Sequence, residues 1–364
     1  MPLNRDRHQA NHPDRQLMKF LKDFSGSENN HFNLIRMMLS FLVFFCHCYA
    51  LRFGKVANVM DPISGLIGHW IGDLAVDGFF ALSGYLVTGS LLRSTSFQRY
   101  LMARALRIYP GLIVMLLLLI AFMSTMSSAP LKQYLFSRET LSLIIHNATL
   151  VFDVRYNLPG VFSDNLYPRA VNGSLWTLPY EVRFYLLIGV AWFALHSLTQ
   201  YRRTVFFIAT TLTLIVLTAS GRLGISLEAH YIRFGIVFCM GSLLWQISPY
   251  IPTSRILLLV AICITAYSLR EPVPPLIYLI LMPYIAICCA YANIPALSFY
   301  SKVGDYSYGL YIYSFPVQQT ISHLYPAMKI TEYVAVTFMV TMTFSYFSWW
   351  LIEKPFLALK QRQR

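Results

Sequence analysis

The chain has 364 residues, of which 56% are hydrophobic and only 12% are charged, and its mean hydropathy is +0.52. This composition excludes an ordinary soluble domain and is typical of a protein with many membrane-spanning helices. The formal net charge of +13 lies at the ends of apolar runs rather than on one basic face, so it indicates membrane topology and argues against a nucleic-acid partner.

Apolar segments recur along the chain and are predicted to be membrane-spanning helices. In chain order they are 33–52, 67–92, 103–125, 177–197, 204–219, 230–247, 255–269, 274–292, 305–325 and 332–352. Basic residues precede the first segment, surround the connection after the second, and end the chain. With an even number of spans, the positive-inside rule then places both termini in the cytoplasm.

The predicted fold class is therefore an all-α polytopic membrane protein with about ten transmembrane helices and both termini cytoplasmic. Its expected parts are a cytoplasmic N-terminal segment at 1–30, a transmembrane domain at 31–356 and a cytoplasmic tail at 357–364. The function is then expected to reside in the helix bundle itself.

The first segment carries a cation and a titratable base on nearly one helix face. Arg36 and His47 are separated by about three helical turns, which corresponds to roughly 16 Å along the axis. An ionisable side chain within hydrocarbon is costly and is by default a candidate functional residue. The alternative is that His47 is a buried neutral imidazole that hydrogen-bonds a backbone carbonyl.

Two further arginines open the third segment at its cytoplasmic side. Arg104 and Arg107 are three residues apart and therefore neighbours on one helix face. Together with Arg36 they would surround a cytoplasmic mouth with guanidinium groups, whose planar fork suits phosphate. Alternatively, Arg104 and Arg107 only set the topology and pair with lipid headgroups. The alignment of Arg36 with His47 favours the phosphate site.

Acidic residues lie within or beside several of the segments. Asp73 and Asp77 share a helix face, where they could form a paired-carboxylate site or pack against a neighbouring helix with an arginine as partner. Glu181 begins the fourth segment and is either a helix-entry charge favoured by the macrodipole or a carboxylate that orients a base or binds a sugar. Glu353 is interpreted as a helix-terminal charge.

One long connection, 126–176, is rich in Asn, Asp, Ser and Pro in its second half. It also contains an apolar stretch, 141–152, that is too short to span a membrane comfortably and is predicted to be interfacial or re-entrant. Loops of this length in compact folds are usually functional or disordered. We expect a lid or an acceptor platform on the outer face.

Several motifs stand in a fixed order along the chain. They are Arg36 with His47, the run from Asp77 to Tyr85, Arg104 and Arg107 with Tyr109-Pro110, the run from Ser174 to Glu181, the run from Gly304 to Tyr311, and Glu353-Lys354-Pro355-Phe356. In this order the sequence resembles the acyltransferase-3 family of integral-membrane acyltransferases, over about residues 30–356. It departs from the family pattern in two places. The aspartate often seen just before the first-span arginine is absent, since Asn33-Leu34-Ile35 stands directly before Arg36, and this leaves the partner of that arginine open. The second departure is Pro179, which lies shortly before Glu181.

The resemblance implies a ten-span enzyme that takes an acyl group, usually acetyl, from cytoplasmic acyl-CoA and delivers it to a sugar hydroxyl. Acceptors in the family include bacterial surface polysaccharides such as lipopolysaccharide O-antigen. The implied location is therefore the bacterial cytoplasmic (inner) membrane. The implied partners are acyl-CoA, a polysaccharide or lipid-linked glycan, and membrane lipids, with no metal. The expected roles are catalysis for His47 and Glu181, binding of acetyl-CoA for Arg36, Arg104 and Arg107, and substrate binding for Trp176, Asp77 and Asp305.

The mechanism expected from these roles places the donor phosphates at the arginines and the thioester near His47. His47 would act as general base on the acceptor hydroxyl, or would accept the acyl group first, and the sequence does not separate the two. Glu181 would orient the imidazole or hold the sugar. Two alternatives come from other classes of protein. One is a transporter of a lipid-linked sugar or anion that uses the intramembrane charges as a proton relay, and the other is a non-catalytic scaffold.

Overall fold

The computed structural model describes residues 20–24, 30–54, 59–195, 199–219, 229–270, 276–292, 297 and 300–361. The α-helices in these ranges are α1 (Phe32–Phe53), α2 (Pro62–Ile67), α3 (Ile71–Leu92), α4 (Phe97–Met123), α5 (Leu131–Phe136), α6 (Arg138–Thr149), α7 (Leu178–Ala194), α8 (Gln200–Ala219), α9 (Ala229–Gln246), α10 (Arg255–Ser268), α11 (Leu276–Tyr291), α12 (Tyr300–Val303), α13 (Ser307–Leu324), α14 (Ile330–Ser348) and α15 (Lys354–Gln361). Short 3₁₀ helices are Leu21–Phe24, Gly173–Thr177 and Ser248–Tyr250, and a π-helical turn, Trp349–Glu353, joins α14 to α15. The described residues contain isolated β-bridges but no β-strand.

Each apolar segment predicted from the sequence coincides with a helix, so the all-helical membrane class is confirmed. Helices long and apolar enough to cross a membrane, within the described ranges, are α1, α3, α4 and the continuous helix Ile330–Leu359. The helices α10 and α11 are apolar but shorter. The count of ten spans and the cytoplasmic position of both termini stay predictions.

Helix α3 lies at the centre of the bundle and is the most buried of the long apolar helices. It packs against α1, α9 and α11, while α13 packs between α1 and α14. Two glycines bring α3 and α9 into backbone contact. A Cβ on Gly84 would lie 2.0 Å from the carbonyl oxygen of Phe238, and a Cβ on Gly241 would lie 2.1 Å from that of Ala81. In lipid, the hydrophobic effect does not drive helices together. Small residues at such crossings let the backbones approach closely, so that van der Waals packing holds the helices together.

Helix α13 contains an internal proline that changes its hydrogen bonding. Pro316 has no N–H, so the carbonyl of Ile312, one turn earlier, has no helical donor at its usual position. The side-chain amide of Asn172 donates to that carbonyl at 2.9 Å. The connection that precedes α7 is therefore fixed to the middle of α13.

The connection 126–176 is folded and carries the two short helices α5 and α6. Ser137 caps α6 by accepting from the Thr140 N–H at 3.0 Å, as N-cap serines commonly do. One face of α6 buries Leu143, whereas Leu141 and Ile145 are 47% and 54% exposed. An exposed apolar face on a short helix is consistent with the interfacial element predicted for this stretch.

Candidate functional site

A cluster of ion pairs joins α1, α4 and the segment before α13. Asp305 Oδ2 lies 3.0 Å from Arg36 Nη1 and 2.5 Å from Arg107 Nη2. The other carboxylate oxygen, Oδ1, accepts from the backbone N–H of Ser307 at 3.2 Å and from its hydroxyl at 2.5 Å. The partner of Arg36 that the sequence left open is therefore Asp305, which is 4% exposed.

Glu353 extends this cluster from the π-helical turn. Its Oε1 accepts from the Ser348 hydroxyl at 2.9 Å, and its Oε2 lies 3.9 Å from Arg107 Nη1. The side chain is only 2% exposed. The interpretation as a helix-terminal charge therefore missed a buried carboxylate beside a candidate site arginine. The π-helical turn, a geometry often found at functional sites, places it there.

Arg104 differs from the other two arginines in its electrostatic environment. Its Nη2 donates to the Ser90 hydroxyl at 3.2 Å, and its guanidinium lies 5.8 Å from the centre of the Tyr185 ring. Across the described ranges, no carboxylate lies within ion-pair distance of Arg104, and its buried Nε has no hydrogen-bond partner there. Arg36 and Arg107 are compensated by carboxylates, whereas Arg104 is available to a bound anion.

All three arginines line one cavity of about 350 Å³ at the end of the bundle predicted to face the cytoplasm. Its wall comes from α1, α3, α4, α7, the α12–α13 segment and the C-terminal turns. The lining residues are Asn33, Arg36, Phe79, Leu82, Ser83, Leu86, Val87, Ser90, Arg93, Ala103, Arg104, Arg107, Glu181, Tyr185, Asp305, Trp349 and Leu357. The structure thus brings together the three arginines that the sequence assigned to the donor.

A narrower pocket of about 50 Å³ lies deeper and shares four lining residues with this cavity. The shared residues are Arg36, Phe79, Ser83 and Glu181. Thr177 and Tyr311 also line the deeper pocket and share a hydrogen bond of 2.6 Å. The two spaces are therefore neighbours within the bundle.

Glu181 lines both spaces, and neither space is lined by the histidine. Its carboxylate accepts from the hydroxyls of Ser83, at 3.2 Å, and Tyr185, in a very short hydrogen bond. In the part of the chain that the structure describes, no hydrogen bond joins Glu181 to His47. The idea that Glu181 orients the imidazole is therefore not supported, and its catalytic role stays a prediction. The sequence did not indicate that the hydroxyls of Ser83 and Tyr185 are the hydrogen-bond donors to Glu181.

His47 lies further along α1 and is partly exposed. Its Nδ1 lies 3.5 Å from the hydroxyl oxygen of Ser174, and its ring meets the edge of Phe315 at 5.3 Å between centroids. Ser174 belongs to the 3₁₀ helix that leads into α7. A backbone carbonyl partner, which the alternative interpretation of His47 requires, is not found for its ring among the described residues.

Asp77 is separated from these cavities and has a different set of partners. Its Oδ1 accepts from Arg233 Nε at 2.9 Å, and its Oδ2 accepts from Arg233 Nη2 at 2.6 Å and from the Tyr278 hydroxyl at 2.9 Å. The residue is 0% exposed. Its oxygens are occupied within the helix packing, so this geometry does not support the predicted substrate contact. It agrees with the alternative of an arginine partner.

Trp176 lies two positions after Ser174 and is partly exposed. Its ring centroid is 4.8 Å from that of His230, 5.6 Å from Phe234 and 5.9 Å from Tyr180. Its substrate-binding role stays a prediction, as does that of Asp305. No group of three or more His, Cys, Asp or Glu side chains that could hold a metal occurs in the described ranges.

The chain is similar to a known protein family over most of its length. Residues 29–352 match the family model described as an acyltransferase domain of the acyltransferase-3 type. The chain is 28% identical over 351 residues to an O-acetyl transferase of Shigella phage Sf6, covering 91% of this chain and 97% of that protein. It is also 29% identical over 175 residues to nodulation protein 10 of Rhizobium leguminosarum bv. viciae, covering 46% of this chain and 45% of that protein. No solved structure gives a significant match.

The family match, together with the apolar helices of the bundle, shows a membrane acyltransferase. The chain belongs to the acyltransferase-3 family, since the match covers most of its length. Family membership favours an O-acyltransferase over the transporter and the scaffold that the sequence left open.

Proposed function

We propose that this protein transfers an acetyl group from cytoplasmic acetyl-CoA to a hydroxyl of a cell-surface or lipid-linked polysaccharide sugar at the bacterial inner membrane. The observation that carries the donor assignment is Arg104, which lines a cavity of about 350 Å³ and has no carboxylate within ion-pair distance among the residues that the structure describes. Arginine binds phosphate through a planar, bidentate fork. The donor phosphates contact Arg104 first, with Arg36 and Arg107 held beside it by Asp305.

The pantetheine arm of the donor follows the path from the basic cavity into the deeper pocket. The roughly 16 Å of helix between Arg36 and His47 is a span that a long flexible arm can cross. The hydrogen bond between Thr177 and Tyr311 opens as the thioester passes. Glu181 and its two hydroxyl partners line this path, so they contact the arm rather than the imidazole.

The chemical step occurs at His47. Its free ring nitrogen removes the proton from the acceptor hydroxyl while the oxygen attacks the thioester carbonyl. The bond between carbonyl carbon and sulfur breaks, the imidazolium returns the proton to the departing thiolate, and the products are an ester and CoA with a free thiol. Transfer through an acyl-histidine gives the same products in two steps.

The acceptor is proposed as a sugar for two reasons. One relative is named as an O-acetyl transferase, which indicates an oxygen nucleophile. The partly exposed Trp176 ring offers an aromatic face two positions from Ser174, which contacts His47. Membrane lipids surround the bundle, and a lipid-linked glycan would reach the site from the outer face.

The test is equilibrium binding of radiolabelled acetyl-CoA to the full-length protein purified in detergent. Arg104→Ala removes this cation, and we expect the dissociation constant to rise about 10- to 100-fold, the range for a lost charge-assisted hydrogen bond. Arg99→Ala is the matched control, because Arg99 is exposed on the same helix and hydrogen-bonds Thr95. It should change binding by less than about twofold.

His47→Ala should bind acetyl-CoA like the unmodified protein but release no free CoA when membrane vesicles containing glycans are added. Equal affinity of Arg104→Ala and Arg99→Ala would remove the donor site from this cavity. Absence of binding by the unmodified protein would overturn acetyl-CoA as the donor. Release of CoA at the normal rate by His47→Ala would overturn the role of the histidine.

A further inference from the structure

We propose that Ser174, held in place by Asn172, positions His47 by accepting a hydrogen bond from its Nδ1–H. The proposal rests on the proposed function, in which His47 is the base, and assigns two positioning residues to it. Neither residue contacts the proposed donor cavity or the deeper pocket. The orientation of the His47 ring is the property that they control.

The chain of contacts begins at the proline of α13. Because Pro316 lacks an N–H, the carbonyl of Ile312 needs another donor. Asn172 supplies it through Nδ2 at 2.9 Å, and its own side-chain oxygen accepts from the backbone N–H of Ser174 at 3.1 Å. Asn172 is 1% exposed and Ser174 is 0% exposed, so both hydrogen bonds are protected from water.

The hydroxyl of Ser174 then faces the imidazole. Its oxygen is 3.5 Å from His47 Nδ1, and this is its hydrogen-bonding contact within the described ranges. Hydrogen bonds between catalytic groups are commonly long in the unliganded state and shorten when substrate binds. When Nδ1–H donates to this oxygen, Nε2 is left unprotonated and can act as the base. Phe315 packs against the ring and restricts its rotation.

Ser174 is better suited to positioning than to nucleophilic attack. A nucleophile must reach the thioester carbonyl, whereas this side chain is fully buried between the 3₁₀ helix and α1. Its backbone N–H is already occupied by Asn172. The geometry therefore gives Ser174 a role that acts through His47.

The first test compares Ser174→Ala with the unmodified protein in the transfer of label from radioactive acetyl-CoA to glycans of membrane vesicles. We expect kcat to fall about 10- to 100-fold, the cost of a misplaced catalytic group, with unchanged acetyl-CoA affinity and melting temperature.

Two results would overturn the proposal. One is a kcat within about twofold of normal for Ser174→Ala, and the other is a loss of kcat that accompanies a lower melting temperature and weaker donor binding. If His47→Ala itself transfers acetyl normally, the proposed function fails instead, so the two failures are distinguishable.

The second test separates the two hydrogen bonds of Asn172. Asn172→Ala leaves the Ile312 carbonyl without a donor and also releases Ser174, so both the melting temperature and kcat should fall. Pro316→Ala restores an N–H that can donate to the carbonyl of Ile312. This change should recover the melting temperature but not kcat. We therefore expect Asn172→Ala to lower the melting temperature less in the Pro316→Ala background, while its effect on kcat stays about 10-fold or more. Recovery of kcat together with the melting temperature would show that Asn172 is purely structural.

Discussion

Arg36 of α1 and Asp305, which precedes α13, share an ion pair of 3.0 Å although they lie far apart in the sequence. The same carboxylate oxygen also receives Arg107 of α4 at 2.5 Å. One buried acid thus fixes two guanidinium groups from two helices at the edge of the proposed donor cavity. This arrangement pre-organises the arginines before an anion binds, which lowers the entropic cost of binding.

Replacing this acid should destabilise the bundle. In Asp305→Asn the two arginines lose their shared counter-charge, and a broken buried pair costs on the order of 3 kcal/mol. We expect a clearly lower melting temperature in detergent. Glu332→Gln is the control, since that carboxylate is exposed in the first turn of α14 and should change stability little. Similar melting temperatures for both variants would argue against a stabilising role for the ion pairs of Asp305.

The pair between Asp77 and Arg233 should show strong coupling. Asp77→Leu or Arg233→Met alone leaves one charge buried without its partner, at a cost of about 3–5 kcal/mol. The double variant removes both charges and should cost less than the sum of the single changes. Thermal unfolding of the four proteins measures the coupling. Asp73→Asn is the control, because Asp73 is 3.9 Å from Arg233 and 54% exposed, and additive losses would contradict the prediction.

The contact between α3 and α9 should tolerate no added methyl group. In Gly84→Ala the new Cβ would lie 2.0 Å from the backbone oxygen of Phe238, so the helices must separate. We expect a loss of monodisperse protein in size-exclusion chromatography, from a packing cost of at least 1–3 kcal/mol. Gly65→Ala introduces the same methyl group where nothing lies within 4 Å, and should behave like the unmodified protein. Normal yield of Gly84→Ala would refute the close packing.

Substitutions beside Glu181 and beside His47 should affect the transfer rate independently. Tyr185→Phe removes a hydroxyl that donates to Glu181, whereas Ser174→Ala removes the contact to His47. The two sets of contacts share no residue, so the fold-losses in transfer rate should multiply in the double variant. Initial rates with radioactive acetyl-CoA and membrane vesicles measure this. A double variant no slower than the worse single variant would place both residues in one unit.

The sequence predicted the helices well because apolar period and length are local properties. The sequence also predicted that Arg36, Arg104 and Arg107 lie at the same end of the bundle, because the positive-inside rule assigns them to the same side of the membrane. It did not provide the pairing of Asp77 with Arg233, or of Asp305 with Arg36, because such pairs depend on which helices are neighbours. Nothing in the local sequence distinguishes an acid that binds substrate from one that binds an arginine.

The contact between Ser174 and His47 could not be predicted from the sequence either, although the sequence contains one indication of how Asn172, the neighbour of Ser174, is held. A proline within a predicted helix leaves a carbonyl free, and a nearby asparagine is a natural donor for it. Pro316 and Asn172 form such a pair. The sequence did not reveal that these two residues meet, because that requires the packing of the outer connection on α13.

The pair of Asp77 and Arg233 also has a consequence for biosynthesis. The two residues are 156 positions apart, so α3 is synthesised long before the guanidinium that neutralises its carboxylate. An unpaired carboxylate in lipid is unfavourable, so α3 should enter the membrane less readily before α9 is present. A chain truncated before α9 is accordingly expected to leave α3 poorly integrated in the membrane.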